Sequence, residues 1–245
     1  MTALTLNQFI YDIKQDQHKP MRDNGLLPFI GHCIANVDKS ASQNYQDIWA
    51  LYENKFKRDG YFVEFGATDG VGLSNTVLLE REYGWKGILA EPNPVWHDQL
   101  FENRSCHITK KCVYSKSGVM VDFLKTLAPD LATVKGFGND DEHRDARKNA
   151  ETIQVETISL VDMLNEYSAP EIIDYMSVDT EGTEYGIINS FFMQNQNKYK
   201  VRTMTIEHNF TPMRERVLDL MSTNGYERVF TDVSRWDDFY VNRSI

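Results

Sequence analysis

Apolar positions along this chain recur in two rhythms. Residues 4–17 place Leu6, Phe9, Ile10 and Ile13 on one helical face. After Ser42, the expected N-cap, Tyr45, Ile48, Trp49, Tyr52 and Phe56 form a second helical stripe, with Gln46 and Asp47 beside it. Between these helices, residues 18–41 carry Pro20, Gly25, Pro28 and Gly31 and read as a loop. From residue 61 onward the pattern changes. Short apolar runs suited to buried strands, at 61–65, 87–91, 106–113, 172–178 and 201–207, alternate with helical patterns at 74–84, 94–103, 159–167, 184–193 and 212–224. Thr211, Pro212 and Gly225 punctuate the last helix. Two further runs, 226–231 and 236–242, flank Asp232-Val233-Ser234-Arg235 and read as an antiparallel closing pair.

This alternation predicts an α/β fold: a mostly parallel seven-stranded sheet, Rossmann-like, with helices on both faces and an antiparallel closing strand. Residues 126–150 break the rhythm with Gly136, Gly138 and crowded charges, and an insertion of that length reads as a lid. The expected organisation is an N-terminal extension over 1–41 and one domain over 42–245 that carries the lid.

Composition narrows the function classes. The chain of 245 residues is 41% apolar and 25% charged, an ordinary globular balance able to bury a sizeable core. No apolar run is long enough to cross a bilayer, so no membrane span is expected, and the first residues lack a basic region followed by an apolar signal core. Cys33, Cys106 and Cys112 are odd in number and form no CxxC pair, which argues against a disulfide framework. A cytoplasmic protein is the resulting expectation. With a net charge of −10 and only small basic groups at Lys110-Lys111 and Arg144 to Lys148, no nucleic-acid partner is expected, and a neutral small-molecule or sugar-nucleotide substrate remains open. No feature of the sequence sets an oligomeric state.

The candidate chemistry gathers where strands end. Phe62-Val63-Glu64-Phe65-Gly66-Ala67-Thr68-Asp69-Gly70 joins an apolar run and an acid to a glycine turn. Gly66 and Gly70 let backbone approach a ligand, and the helix opened by Ser74-Asn75 offers free N–H groups nearby. Glu91 ends the next run and can accept from both hydroxyls of a ribose. That acid also occurs in dinucleotide sites, and Gly66-x-x-x-Gly70-x-Gly72 resembles the turn of NAD(P)-dependent short-chain oxidoreductases. Those enzymes need Tyr-x-x-x-Lys, and none of the 12 tyrosines has a lysine four residues on. A catalytically silent nucleotide-binding module is the other alternative.

Glu64-x-Gly66-x-x-x-Gly70 instead resembles the first motif of class I methyltransferases. Ser42 to Asp47, Gly60 to Gly70, Ser74-Asn75-Thr76, Gly84-Trp85-Lys86-Gly87, Glu91-Pro92-Asn93-Pro94 and Asn103-Arg104 are similar to the FkbM-type methyltransferase family. So are Ser177-Val178-Asp179-Thr180-Glu181-Gly182-Thr183-Glu184 and Thr205-Ile206-Glu207-His208-Asn209, so the likeness runs in order over residues 42–242. The resemblance implies a class I fold and an S-adenosylmethionine-dependent O-methyltransferase acting on a hydroxyl of a sugar, glycan or other small molecule. It implies a cofactor site at Gln46, Glu64, Gly66, Ala67, Thr68, Asp69, Gly70, Ser74, Asn75, Glu91, Pro92, Val113 and Asp179.

Two residues are expected to act on the acceptor. Asp179 stands where donor and acceptor meet, and His208 is a candidate base for the hydroxyl proton, with His143 in the insertion as a second. Asp179, Glu181, Glu207 and His208 together are a candidate site for a hard divalent ion such as Mg²⁺. Trp236, in the closing strands, is a candidate to stack on a sugar.

Overall fold

The computed structural model describes residue 11 and residues 25–138, 144–231 and 234–245. The chain divides into two units, Met1–Ser40 and Ala41–Ile245. In the first, Leu26–Ala35 forms helix α1, with Leu26, Phe29 and Cys33 buried along one face. Sequence reading expected a loop there, because Pro28 and Gly31 are poor helix formers. Pro28 falls in the first turn, where its missing N–H costs nothing. The expected helix over 4–17 lies outside the described residues, Tyr11 excepted.

The second unit opens with α2, Gln46–Glu53, whose N-cap is Tyr45 in a left-handed conformation rather than Ser42. Ser42 Oγ donates to Asp47 Oδ1 at 2.7 Å instead, and Phe56, with φ of +53°, lies beyond the helix end. There follow β1 (Tyr61–Phe65), α3 (Val77–Tyr83), β2 (Lys86–Ala90), α4 (His97–Asn103) and β3 (His107–Thr109). Next come β4 (Cys112–Tyr114), β5 (Met120–Lys125), β6 (Thr133–Val134) and β7 (Glu151–Ser159). The chain ends in α5 (Leu160–Glu166), β8 (Ile172–Val178), α6 (Glu184–Gln194), β9 (Lys200–Glu207), α7 (Met213–Thr223), β10 (Glu227–Val229) and β11 (Asp237–Val241).

Seven strands form the main sheet in the order β10-β11-β9-β8-β1-β2-β3, with β11 antiparallel to both neighbours and the other pairs parallel. This is the class I methyltransferase arrangement that the resemblance implied. Strands buried on both faces are apolar at most positions, which is why Tyr61–Phe65 and Ile172–Val178 stand out as near-continuous runs. Val63 and Phe65 pack into a core completed by Leu160 and Met163 of α5, Ile187 and Phe191 of α6, and Met221 of α7. Phe62 and Glu64 alternate to the opposite face, and Trp49 of α2 stacks on Phe239 of β11 at 4.8 Å.

The expected strand over 106–113 is two strands in different sheets. Lys110-Lys111 separates β3, on the main sheet, from β4, which pairs with β7. A second sheet of four strands, β4-β7-β5-β6, escaped the sequence reading altogether. Its longest members, β5 and β7, have one half-exposed face and hence no continuous apolar run.

Candidate active site

A cavity of about 250 Å³ lies over the ends of β1, β2, β8 and β9. Strand order reverses between β1 and β8, and ligands of open α/β sheets sit at such a switch.

β1 presents Glu64 and ends at Gly66, whose φ of +69° turns the chain across the rim. The Glu64 carboxylate is engaged by the loop that follows. It accepts from the Asn75 N–H at 2.7 Å, from Ser74 Oγ at 3.1 Å and from Thr76 Oγ1. Arg104 Nη1 stands 3.7 Å from it and donates to Gly70 O at 3.0 Å and Ser74 Oγ at 3.1 Å, while Nε pairs with Glu80 at 2.6 Å. Glu64 and Arg104 thus hold the glycine turn and the 74–76 loop in one arrangement.

Beyond β2, Glu91 accepts from the Thr68 N–H at 2.9 Å and the Asn93 N–H at 2.7 Å, tying two strand ends together. Burial pushes its carboxyl up to about 7, against the pull of those two N–H groups. Asp179 follows β8, Glu207 ends β9, and Asp237, paired in register with Glu207, begins β11. Burial, then the charge of Asp237, pushes Asp179 up to about 8, while a hydrogen bond with Glu207 opposes the rise. Burial and then the charge of Asp179 raise Glu207 well above the usual carboxylate range. Burial also lifts Asp237 to about 6, opposed by Asn44 and by Gln46, whose Nε2 donates to it at 3.0 Å.

Gln46, Glu64, Gly66, Ala67, Thr68, Ser74, Asn75, Glu91, Pro92, Val113 and Asp179 all line this cavity, as does Trp236. Asp69 and Gly70 do not. Asp69 Oδ1 folds back to accept from the N–H groups of Val71 and Gly72 at 2.8 and 2.7 Å, and Gly70 packs beneath Leu100 and Arg104. Their part is to shape the turn. Asp237 was missed because its partner Gln46 lies 191 residues away, with no local signal. Arg104 was legible only as part of the Asn103-Arg104 motif.

His208 does not line the first cavity. Its Nδ1 accepts from the Phe210 N–H at 3.0 Å, and Nε2 faces Asp238 Oδ1 at 3.7 Å. Burial depresses its pKa to about 4, against the charge of Asp238, leaving a weak base that lines a second, neighbouring cavity. His143 lies outside the described residues. Asp179, Glu181 and Glu207 each bring an oxygen within 4.8 Å of the others, a spacing compatible with a hard cation, and His208 stands outside this group. Arg147 Nη2 already pairs with Glu181 at 2.6 Å, and both side chains are buried.

The described residues of the insertion build walls of the cavity. Pro129 to Ala132 and Val134 line the cavity. Arg147 pins this segment by donating to Leu131 O at 2.9 Å and Gly138 O at 2.7 Å. Thr68, Leu73, Glu181 and Asn209 line the cavity with φ between +43° and +60°, a cluster of strain typical of ligand sites.

Charge decides what this cavity can hold. Glu64, Glu91, Asp130, Asp179, Glu181, Glu207 and Asp237 line it, and no lysine or arginine is among its described lining residues. Asn75 Oδ1 and Glu207 Oε2 are buried there without a hydrogen-bond partner. A dinucleotide pyrophosphate would find no cation there. A sulfonium nucleoside with its ammonium group supplies both the positive charge and the missing donors.

A family model described as the methyltransferase FkbM domain matches residues 64–228. No curated protein matches the chain. Among solved structures, precorrin-6y C5,15-methyltransferase from Geobacter metallireducens GS-15 is similar with a TM-score of 0.43 and 8% identity, over 80% of this chain and 85% of that one. Ribosomal protein L11 methylase from Lactobacillus delbrueckii subsp. bulgaricus gives 0.42 and 8%, over 81% and 76%. Cofactor-bound Rv0187 from MTB gives 0.42 and 12%, over 88% and 90%.

Proposed function

The chain belongs to the FkbM methyltransferase family, and from that premise we propose that it methylates a hydroxyl of a sugar or glycan, using S-adenosylmethionine. The observation that carries the reading is the first cavity, rich in carboxylates and with no lysine or arginine among its described lining residues. The same charge pattern disfavours the oxidoreductase alternative.

S-adenosylmethionine supplies a methyl carbon on a positive sulfur; its C–S bond breaks as the acceptor's O–C bond forms, leaving a neutral thioether and one proton to be removed. The glycine turn at Gly66 and the Ser74-Asn75 loop hold the methionine end, and Glu91 accepts from the ribose hydroxyls. Val113 flanks the base, and the walls from Pro129 to Ala132 exclude water. The facing pair of Asp179 and Glu207 takes the hydroxyl proton, because both are raised toward the range where a carboxylate is an effective base. Glu181 needs no metal ion to offset its charge, since the Arg147 guanidinium does so.

Parallel titrations of S-adenosylhomocysteine and NADH, followed by transfer from labelled donor to a panel of sugars and sugar nucleotides, test the reading. Micromolar binding of the first ligand alone, with label in a sugar hydroxyl, is the expected result. Preferential binding of NADH overturns it.

A further inference from the structure

A second cavity of about 250 Å³ adjoins the first through Glu207 and Asn209, the two residues that line both spaces. Phe137 and Gly138 of the insertion form one wall, Gly182 and Tyr185 another, and Thr211 to Arg214 with Val217 a third. We propose that this second cavity is the acceptor site and that it takes an uncharged, polyhydroxylated ring, presenting one hydroxyl to Glu207. The inference rests on the methyl-transfer reading above and adds where the acceptor sits and what selects it.

Position is the first argument. The two cavities share Glu207 and Asn209, so a hydroxyl at their common edge would stand beside both the methyl donor and the carboxylate that interacts with Asp179. Charge is the second. Arg214 is the only lysine or arginine among the described lining residues, and its Nε and Nη2 already donate to the two oxygens of Asp238 at 2.9 and 2.7 Å. A phosphate or carboxylate in this space would find its cation taken and would face Glu207 and Glu184, while the His208 imidazole that also lines it is kept neutral by burial. Surface is the third. Phe137, Tyr185, Met213 and Val217 offer apolar walls that suit the C–H face of a sugar, while Asn209 and Thr211 offer polar groups at its edge. A purely aromatic ring would leave those polar groups unmatched.

Gly182 is the positioning residue for this site. Its φ is +118°, and a Cβ there would stand 2.9 Å from Gly138 N and 3.2 Å from Phe137 Cβ. The wall at 137–138 therefore closes over a glycine.

The test uses the full chain saturated with S-adenosylhomocysteine, whose affinity is measured by calorimetry. Methyl glucoside, methyl mannoside and methyl rhamnoside are then compared with glucose phosphate and phenol by saturation-transfer NMR. At least one neutral glycoside binds the wild type, and Met213→Trp, which fills the cavity from the start of α7, abolishes its signal with S-adenosylhomocysteine affinity unchanged. Phe137→Ala, a milder change that guards against misfolding of the first variant, weakens the glycoside about tenfold. The proposal is overturned if no glycoside binds, if its signal survives both substitutions, or if only glucose phosphate or phenol binds. A wild type that fails to bind S-adenosylhomocysteine would instead refute the methyl-transfer reading.

Discussion

Gly66 at the tip of β1 leaves the space where its Cβ would stand to the backbone oxygen of Asp179 at the tip of β8. The two strands on either side of the sheet's switch point thus meet through a glycine in a left-handed conformation, φ +69°. Gly66→Ala forces a Cβ into that contact and adds about 1–2 kcal/mol of backbone strain. The expected result is a loss of S-adenosylhomocysteine affinity of about tenfold or more by calorimetry. Gly186→Ala, in α6 with nothing within 4 Å of the new Cβ, is the control and leaves affinity unchanged.

In the proposed reading Glu91 holds the ribose. Glu91→Ala removes a charged acceptor worth about 1.5–3 kcal/mol, so cofactor affinity falls about tenfold to a hundredfold. Circular dichroism should remain that of the wild type. Unchanged affinity would move the ribose away from this residue.

The buried acids also set a pH dependence of stability. Because folding raises Glu91 from 4.5 to about 7, its contribution is fully present below about pH 4.5 and is lost as pH rises through about 7. Urea midpoints of the ligand-free protein, wild type minus Glu91→Gln, should therefore fall across that window. The drop is on the order of 3 kcal/mol. A difference that grows with pH contradicts the assignment.

Proton removal by the Asp179–Glu207 pair predicts a rate that rises with pH through about 8 as the shared proton is lost. Asp179→Asn and Glu207→Gln should each lower kcat by about a hundredfold or more. His208→Gln should leave the midpoint of the ascending limb where it is, since that histidine faces Asp238. A midpoint displaced by His208→Gln would return the base to the histidine.

Arg147 offsets Glu181 from behind the cavity wall at 2.6 Å. A chelator should leave methyl transfer unchanged, and loss of activity restored by Mg²⁺ would replace the guanidinium with a metal ion. Arg147→Ala strands a buried carboxylate at a cost of about 3–5 kcal/mol. It should also speed proteolysis within residues 126–150, which Arg147 ties down through Leu131 and Gly138.

Legibility differed among the elements for physical reasons. β1 and β8 lie in the middle of the main sheet, where both faces are covered, so most residues are apolar and the runs were unambiguous. β5 and β7 belong to a sheet with a half-exposed face, so charged residues interrupt their pattern. Ser42 carried a local capping signal that the fold used differently, binding Asp47 and leaving Tyr45 at the cap. In the site, Glu64, Gly66 and Glu91 were visible because strand ends and glycine turns are local features. Asp237 and Arg147 were invisible, since their roles exist only against Gln46, Glu207 and Glu181 from distant segments.

The sequence by itself determined the alternating α/β order, the glycine turn and the acids at strand ends, because each follows from backbone sterics and burial within a few consecutive residues. Tertiary structure alone decided that seven carboxylates share one cavity, that Asp69 turns inward on its own loop, and that His208 faces Asp238 outside that cavity. Those outcomes depend on strand order and on which side chains meet across it, and such long-range contacts leave no mark in the spacing of neighbours.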